Sequence, residues 1–600
     1  MAARPSASAT TMTTQSTPKP ANGASPNTVA AEGTLYVSQP YRSSSNKLRA
    51  MVTFAPRKSL FDISNESSTS NEFRGFFTLF WISLFLFTVR TYIRSIETNG
   101  YPLDFQFASM FSRDAITLAI SDAVLVLNTA LCVPFAKAIA KGWIRYYWFG
   151  VILQHLWQTS VLAMAITWTF NRQWPWVQSG FLTLHSFTMI MKMHSYLSTN
   201  GQLAYTHEQA EKVLAELKEA TEAEGGWDAA LRKAEEVMMQ HDSPIPQGTP
   251  DAPNNAPEGS TTSYIDARTA VTLRQRLAAR NAAGNGKADG SATSAAAVKT
   301  TGTRVLSPSA TAVPTHPPTP SEILTHHPSE KIARLARTHA ELESELTGPV
   351  EGRVRWPANI TLRDFAWYQL TPTLVYELEY PRTERIRPLY VFEKTVAFFG
   401  TFALLYTIVE TFIIPLTPTK EQSFARSLLD LALPFMMAYL LLFYIIFECI
   451  CNAFAELSYF ADRQFYDDWC APHTQPPALW NSTSWDEFSR KWNKPVHTFL
   501  LRHVYASTMS SYKLTKQSAM FVTFLVSAAA HELVMAIVTQ KIRFYLFALQ
   551  VRNALDIAQI PLIAIGRIPA IRRNKLMGNI VFWLGLYAGF PLLCVAYCAY

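Results

Sequence analysis

His531 sits inside an apolar run from Ser518 to Thr539, within Ala529-Ala530-His531-Glu532-Leu533. An imidazole accepts a proton near neutral pH, and burial lowers its pKa and keeps it neutral, which is the state a general base needs. Ser527 lies one helical turn earlier on the same face, where it can support the ring. Ala528, Ala529 and Ala530 are small, so a substrate could come close. A histidine hydrogen-bonded between helices fits the same pattern, and the residues alone leave both readings open. Ionisable groups are costly at membrane depth, so an apolar helix keeps one where it faces a protein interior or a watery cavity.

Upstream, Phe465 to Tyr505 is dense in Trp, Tyr, Asn, His and Arg. Within it stands Trp492-Asn493-Lys494-Pro495-Val496-His497. Asn followed by a first-turn Pro is a good helix N-cap. An Asn amide can also donate to a developing oxyanion, and one residue can serve both ends. Ser484-Trp485-Asp486-Glu487 reads as a capping box, which makes Glu487 structural. Arg490, Lys491, Lys494, Arg502, Lys513 and Lys516 follow closely. They read either as a positively charged membrane face or as contacts to the phosphates of an acidic cofactor. His497 and His503 read as structural or interfacial.

Other chemistries fit poorly. No GxSxG elbow, HExxH pair or P-loop occurs. The six cysteines form no CxxC pair, so no metal site is expected and the thiols read as buried and inert. The net charge is +8, but no nucleic-acid module accompanies it, which leaves an anionic membrane face or an anionic cofactor.

The elements that must position these residues are apolar helices. Charged residues make up only 16% of the 600, against roughly 25% in soluble proteins, and 49% are hydrophobic. Spans of about 20 apolar residues are predicted near 76–93, 114–134, 144–170, 176–197, 394–415, 427–450, 518–540, 541–565 and 578–600. The expected architecture is therefore an all-α polytopic membrane protein with about nine transmembrane helices. Asp122 and the pair Gln154-His155 fall inside spans and are expected to pair between helices. Residues 1–70 read as a disordered cytosolic N-terminal tail, rich in Ser, Thr, Ala and Pro. Residues 71–200 form the first group of transmembrane helices. Residues 201–355 read as a polar, low-complexity cytosolic insert, and 356–600 as the catalytic membrane region. The first apolar run starts near Phe76 and no signal peptide precedes it, so a cytosolic N-terminus is expected. No internal repeat is visible, which weighs against a transporter.

These residues resemble the membrane-bound O-acyltransferases, and within them the sterol O-acyltransferases. The FYxDWWN signature of that family reads here as Phe465-Tyr466-Asp467-Asp468-Trp469, then Trp480-Asn481. Residues 470–479 split it, and removing them restores FYDDWWN in register. A proline-rich loop and a retained intron both explain such a segment. The stretches 481–497 and 499–505 are similar to fungal steryl ester synthases, and His531-Glu532 matches the catalytic histidine motif. Further likeness lies in Pro372 to Arg382, Arg74 to Trp81 and Gly578 to Gly585.

The resemblance implies the membrane-bound O-acyltransferase fold and transfer of a fatty acyl group from acyl-CoA to a sterol 3β-hydroxyl. It implies His531 as base and Asn493 as its catalytic partner. Phe465, Tyr466, Asp468, Trp469, Trp480 and Asn481 become candidates for acyl-CoA binding, with Arg490, Trp492, Tyr505 and Lys516. It further implies no permanently bound cofactor, a homodimer or homotetramer, a place in the endoplasmic reticulum membrane, and ergosterol or a precursor as acceptor. A diacylglycerol acyltransferase shares the signature and the histidine. A non-catalytic transporter or lipid-binding protein would use the same polar groups without chemistry.

Overall fold

The computed structural model describes residues 36–37, 41–42, 48–49, 52–54, 56–59, 62, 74–102, 108, 112–241, 319–348, 354–417, 422–466, 488, 491–548 and 575–599. The helices in chain order are α1 (Arg74–Asn99), α2 (Ala115–Thr129), α3 (Cys132–Ala140) and α4 (Val151–Arg172). They continue as α5 (Trp176–Glu222), α6 (Trp227–His241), α7 (Pro320–Leu324), α8 (Glu330–Glu345) and α9 (Leu362–Leu370). The second half holds α10 (Pro388–Ile408), α11 (Phe424–Phe443), α12 (Cys451–Leu457) and α13 (Lys494–Phe499). It closes with α14 (Ser507–Ser511), α15 (Lys516–Thr539) and α16 (Lys575–Ala599). Strand structure among the described residues is limited to four two-residue pieces paired antiparallel between Tyr36 and Thr53.

Six helical stretches among the described residues are long and apolar enough to cross a membrane: Ala115–Ala140, Tyr146–Arg172, Pro388–Ile413, Phe424–Leu457, Lys516–Thr539 and Met577–Tyr597. Two further spans read from the sequence fall on α1 and on the first half of α5, which are helical but carry charges such as Arg90, Arg94 and Lys192. The span read at 541–565 begins as irregular chain followed by a short helical turn, and the rest lies outside the described residues.

Among the described residues, large apolar side chains lie exposed on the outside while many polar groups are buried. Leu389 is 82% exposed and Ile116 79%, while Gln154, Asn200 and Glu456 are fully buried. A water-soluble protein avoids large exposed apolar surfaces; lipid removes that penalty, and it forces polar groups inward to find partners. The pairings expected for Asp122, Gln154 and His155 follow this rule. Asp122 Oδ1 lies 2.5 Å from His185 Nδ1, Gln154 Nε2 lies 2.9 Å from His194 Nδ1, and the His155 and His194 rings are 5.6 Å apart.

The spine is α5. Its 47 residues span about 70 Å at 1.5 Å each, more than twice a bilayer's hydrocarbon core. Helices α2, α3, α4, α8 and α15 all pack against it. It runs unbroken from the predicted span into the polar insert, past the boundary expected near residue 200. There Leu217 and Ala220 join Ala230, Ala234, Leu324, Ile332 and Ala336 in a small core outside the apolar spans. Close approach sets α5's neighbours. A Cβ on Gly201 would overlap the Tyr146 ring, and one on Gly180 would sit 3.3 Å from Val538 of α15.

The N-terminal region departs from expectation. Residues 1–70 read as a tail with too little apolar surface to offset its chain entropy, and within them the polar side chains of Arg57, Ser59 and Asp62 are buried. The Arg57 guanidinium donates to both Asp462 carboxylate oxygens at 2.8 and 2.6 Å. Ser59 donates to Glu448, and Arg387 donates to Asp62 at 3.0 Å. A low-complexity tail carries no sign of such contacts, because their partners lie roughly 400 positions away in sequence.

Candidate active site

Thr515 caps α15, its hydroxyl accepting the Ser518 N–H at 3.3 Å, and Gln540 ends the helix in the left-handed region at φ 55°. His531 sits in its second half. The ring is exposed, where the sequence reading expected burial. The position on the buried face goes to Glu532 instead. Its carboxylate accepts the backbone N–H of Phe544 at 2.7 Å and of Phe547 at 3.1 Å, and the Tyr597 hydroxyl at 2.8 Å. Glu532 thereby ties the chain after α15, and α16, to the histidine helix. The sequence reading gave it no role, although a carboxylate in an apolar run is itself a signal.

His531 Nδ1 lies 2.7 Å from the Ser527 carbonyl oxygen and 3.5 Å from the Ser527 hydroxyl. A carbonyl only accepts, so Nδ1 carries the proton and donates it. In a neutral ring this sets the tautomer and puts the lone pair on Nε2. Ser527 thus supports the ring mainly through its backbone. The flanking Ala529 and Ala530 keep the approach open.

Asn493 is the N-cap of α13. Its Oδ1 accepts the Val496 N–H at 3.2 Å, and Pro495 stands in the first turn. With Oδ1 committed to the cap, Nδ2 remains as the donor end of the amide. Helix α13 passes without a break into a π-helical stretch, Leu500–Ala506, which packs against α15. Asn493 and His531 are therefore carried by directly adjoining elements. Single π-turns recur at functional sites. Tyr505 lies in this stretch, half-buried, and Lys516 opens α15, exposed.

Three further candidates meet in one aromatic cluster. Phe465 and Tyr466 are buried with Phe443, Phe447 and Phe460, and Trp492 packs against them. The Trp492 ring stacks on Tyr439 at 4.9 Å, nearly parallel. The Lys494 N–H donates to the Phe465 carbonyl at 3.1 Å, which ties the start of the signature to the Asn493 cap. Asp468, Trp469, Trp480, Asn481 and Arg490, with Glu487 and the segment 470–479, lie outside the described residues.

Tyr466 donates its hydroxyl to Glu448 at 3.0 Å. Glu448 is buried in a second π-helical stretch, Tyr444–Ile450. It also accepts from Ser59, from Lys394 Nζ at 2.9 Å and from Asn452 Nδ2 at 3.2 Å. The sequence reading missed Glu448 and Lys394, whose placement within spans was the available signal. Of the basic residues it named, Arg502 is buried and ion-paired with Glu377, so it is not free for a phosphate. His503, read as structural or interfacial, is buried with its Nε2 2.8 Å from the Ser195 hydroxyl.

Comparison with known proteins matches this arrangement to one family. A profile described as MBOAT, membrane-bound O-acyltransferase family, matches residues 115–599 and so takes in α2 to α16. The chain belongs to the membrane-bound O-acyltransferase family. This membrane-bound O-acyltransferase is 30% identical to probable sterol O-acyltransferase 1 of Schizosaccharomyces pombe, over 91% of this chain and 85% of that protein. It is also 30% identical to sterol O-acyltransferase 2 of Candida albicans, over 91% of this chain and 78% of that protein. A diacylglycerol O-acyltransferase 1 of Dictyostelium discoideum is 32% identical over only 40% of the chain and 37% of its own length. The chain is an acyltransferase enzyme with membrane-spanning helices that acts on lipid.

Proposed function

We propose that the protein is an acyl-CoA:sterol O-acyltransferase that makes steryl esters for sterol storage. The observation that carries this reading is the exposed His531, with Nδ1 held by the Ser527 carbonyl and Nε2 free, on a helix packed against the Asn493-capped element. Likeness to sterol O-acyltransferases over nearly the whole chain supports a sterol as acceptor.

Nε2 of His531 takes the proton of the sterol 3β-hydroxyl as the oxygen attacks the thioester carbonyl. The carbon–oxygen ester bond forms and the carbon–sulfur bond breaks. The departing CoA thiolate takes the proton back from the imidazolium, so base and substrate protons balance without an acyl-enzyme. The Asn493 Nδ2 donor stabilises the carbonyl oxygen as negative charge builds on it. Acyl-CoA is a co-substrate, and the proposal includes no permanently bound cofactor. Phe465, Tyr466 and Trp492 belong to its binding region, with Asp468, Trp469, Trp480, Asn481 and Arg490, and with Tyr505 and Lys516 at the periphery. The same reading assigns the chain to the endoplasmic reticulum membrane, with a cytosolic N-terminus, as a homodimer or homotetramer.

Labelled acyl-CoA supplied to the purified protein, with a sterol or with diacylglycerol as acceptor, tests the acceptor class. Labelled steryl ester is the expected product. Triacylglycerol in its place would move the chain to the diacylglycerol branch, and no ester with either acceptor would sink the enzymatic reading.

A further inference from the structure

The segment 54–62 comes from a region with no apparent role in chemistry, yet it is anchored at three buried points of the catalytic half. Arg57 forks onto Asp462, and its backbone bonds with Ala461 and Arg463 on either side. Asp62 accepts from Arg387, which in turn holds Glu456. Between them, Ser59 Oγ lies 2.9 and 2.8 Å from the two oxygens of Glu448. The second of those oxygens also takes the Tyr466 hydroxyl. Phe54 packs edge-on against Tyr380 and Phe460. A small pocket opens between this segment and the start of α13, with Phe54 and Arg57 on one side and Phe465, Lys494 and Thr498 on the other.

We propose that Phe54, Arg57, Ser59 and Asp62 form one wall of the acyl-CoA binding region, with Ser59 as a positioning residue that orients Tyr466 through their shared Glu448 carboxylate. This rests on the acyl-transfer reading above. A buried carboxylate with four donors holds each of them in place only while the others are made. Without Ser59, Glu448 keeps Lys394, Asn452 and Tyr466 but loses one of the donors that set its orientation, and with it the placement of the Tyr466 hydroxyl. The effect falls on the acyl-CoA side of the site, because Tyr466 is in the signature stretch and remote in sequence from α15. The three anchors also make the segment a part of the enzyme rather than a free tether.

The test is steady-state kinetics of the purified full-length enzyme carrying Ser59→Ala, Ser59→Thr or no change, with KM measured separately for acyl-CoA and sterol. Loss of a hydrogen bond to a buried charge corresponds to roughly a ten-fold effect. Ser59→Ala is expected to raise KM for acyl-CoA by about that factor, with KM for sterol little changed and Ser59→Thr restoring much of the loss. An unchanged acyl-CoA KM, or equal shifts in both KM values, would overturn the proposal. A second measurement needs no variant. A non-reacting thioether analogue of acyl-CoA is expected to slow backbone hydrogen exchange across 54–62 in the unaltered protein, and no slowing there would overturn the proposal. Turnover of the unaltered enzyme in the same preparation reports on the acyl-transfer reading separately, so the two failures are distinguishable.

Discussion

His531 and Glu532 are neighbours on one helix, about 100° apart around it, one exposed and the other buried. The exposed imidazole is held by its own helix's carbonyl, and the buried carboxylate gathers three donors from the chain after α15 and from α16. Under the proposed mechanism the pair separates chemistry from support, His531 as the base and Glu532 as the group that fixes the helix presenting it. Glu532→Ala leaves two backbone N–H groups and a hydroxyl without their acceptor, at about 1–3 kcal/mol for each that stays buried. Thermal unfolding of the purified variant is expected at a clearly lower temperature, and Glu532→Gln, which keeps one accepting oxygen, should fall between. Equal stability of Glu532→Ala and the unaltered protein would contradict the supporting role. The Ser527–His531 contact and the Asn493 cap were legible in the sequence, because local spacing puts Ser527 one turn before the ring and Asn493 before a first-turn Pro. Glu532, Glu448 and Ser59 were not, because each is given its meaning by partners far along the chain. The expected burial of His531 failed for a related reason: hydrophobic neighbours say that a helix is in lipid, not which side of it faces the protein.

At the scale of elements, two of the four π-helical stretches among the described residues lie at the candidate site. One carries Glu448 beneath Tyr466, and the other joins the Asn493 cap to the helix of His531. Hydrophobic patterning finds helices but does not distinguish α from π winding, so neither was legible beforehand. The polar module at the end of α5 has its own sensitivity. His339 Nδ1 bonds the Ser321 hydroxyl at 2.8 Å and His327 lies in the turn after α7. Burial holds both imidazoles below the ordinary 6.5. The unfolded segment therefore takes up protons first as pH falls. Their contribution to stability is full above 6.5 and declines as pH drops below it. Hydrogen exchange across α7 and α8 of the full chain, corrected for intrinsic rates, is expected to show greater protection at about pH 7.5 than at about pH 5.5. Equal protection at both would contradict the assignment.

At the scale of the molecule, polar groups turned inward and apolar groups turned outward identify the solvent as lipid. That class was legible from composition alone, and most of the predicted spans fall on helices. What composition could not supply was connectivity. The α5 spine joins the first helices, the polar module and α15, and an N-terminal segment read as unstructured is sewn into the catalytic half. In the proposed reading the arrangement serves one act: presenting the His531 imidazole at an open site, on a helix packed against the stretch that continues from the Asn493 cap. The most direct test of that claim is steryl ester formation from acyl-CoA by purified His531→Ala protein, with its membrane insertion and unfolding temperature matched to the unaltered chain. The account predicts that ester formation falls to background while the fold persists. Ester formation at the unaltered rate would contradict it.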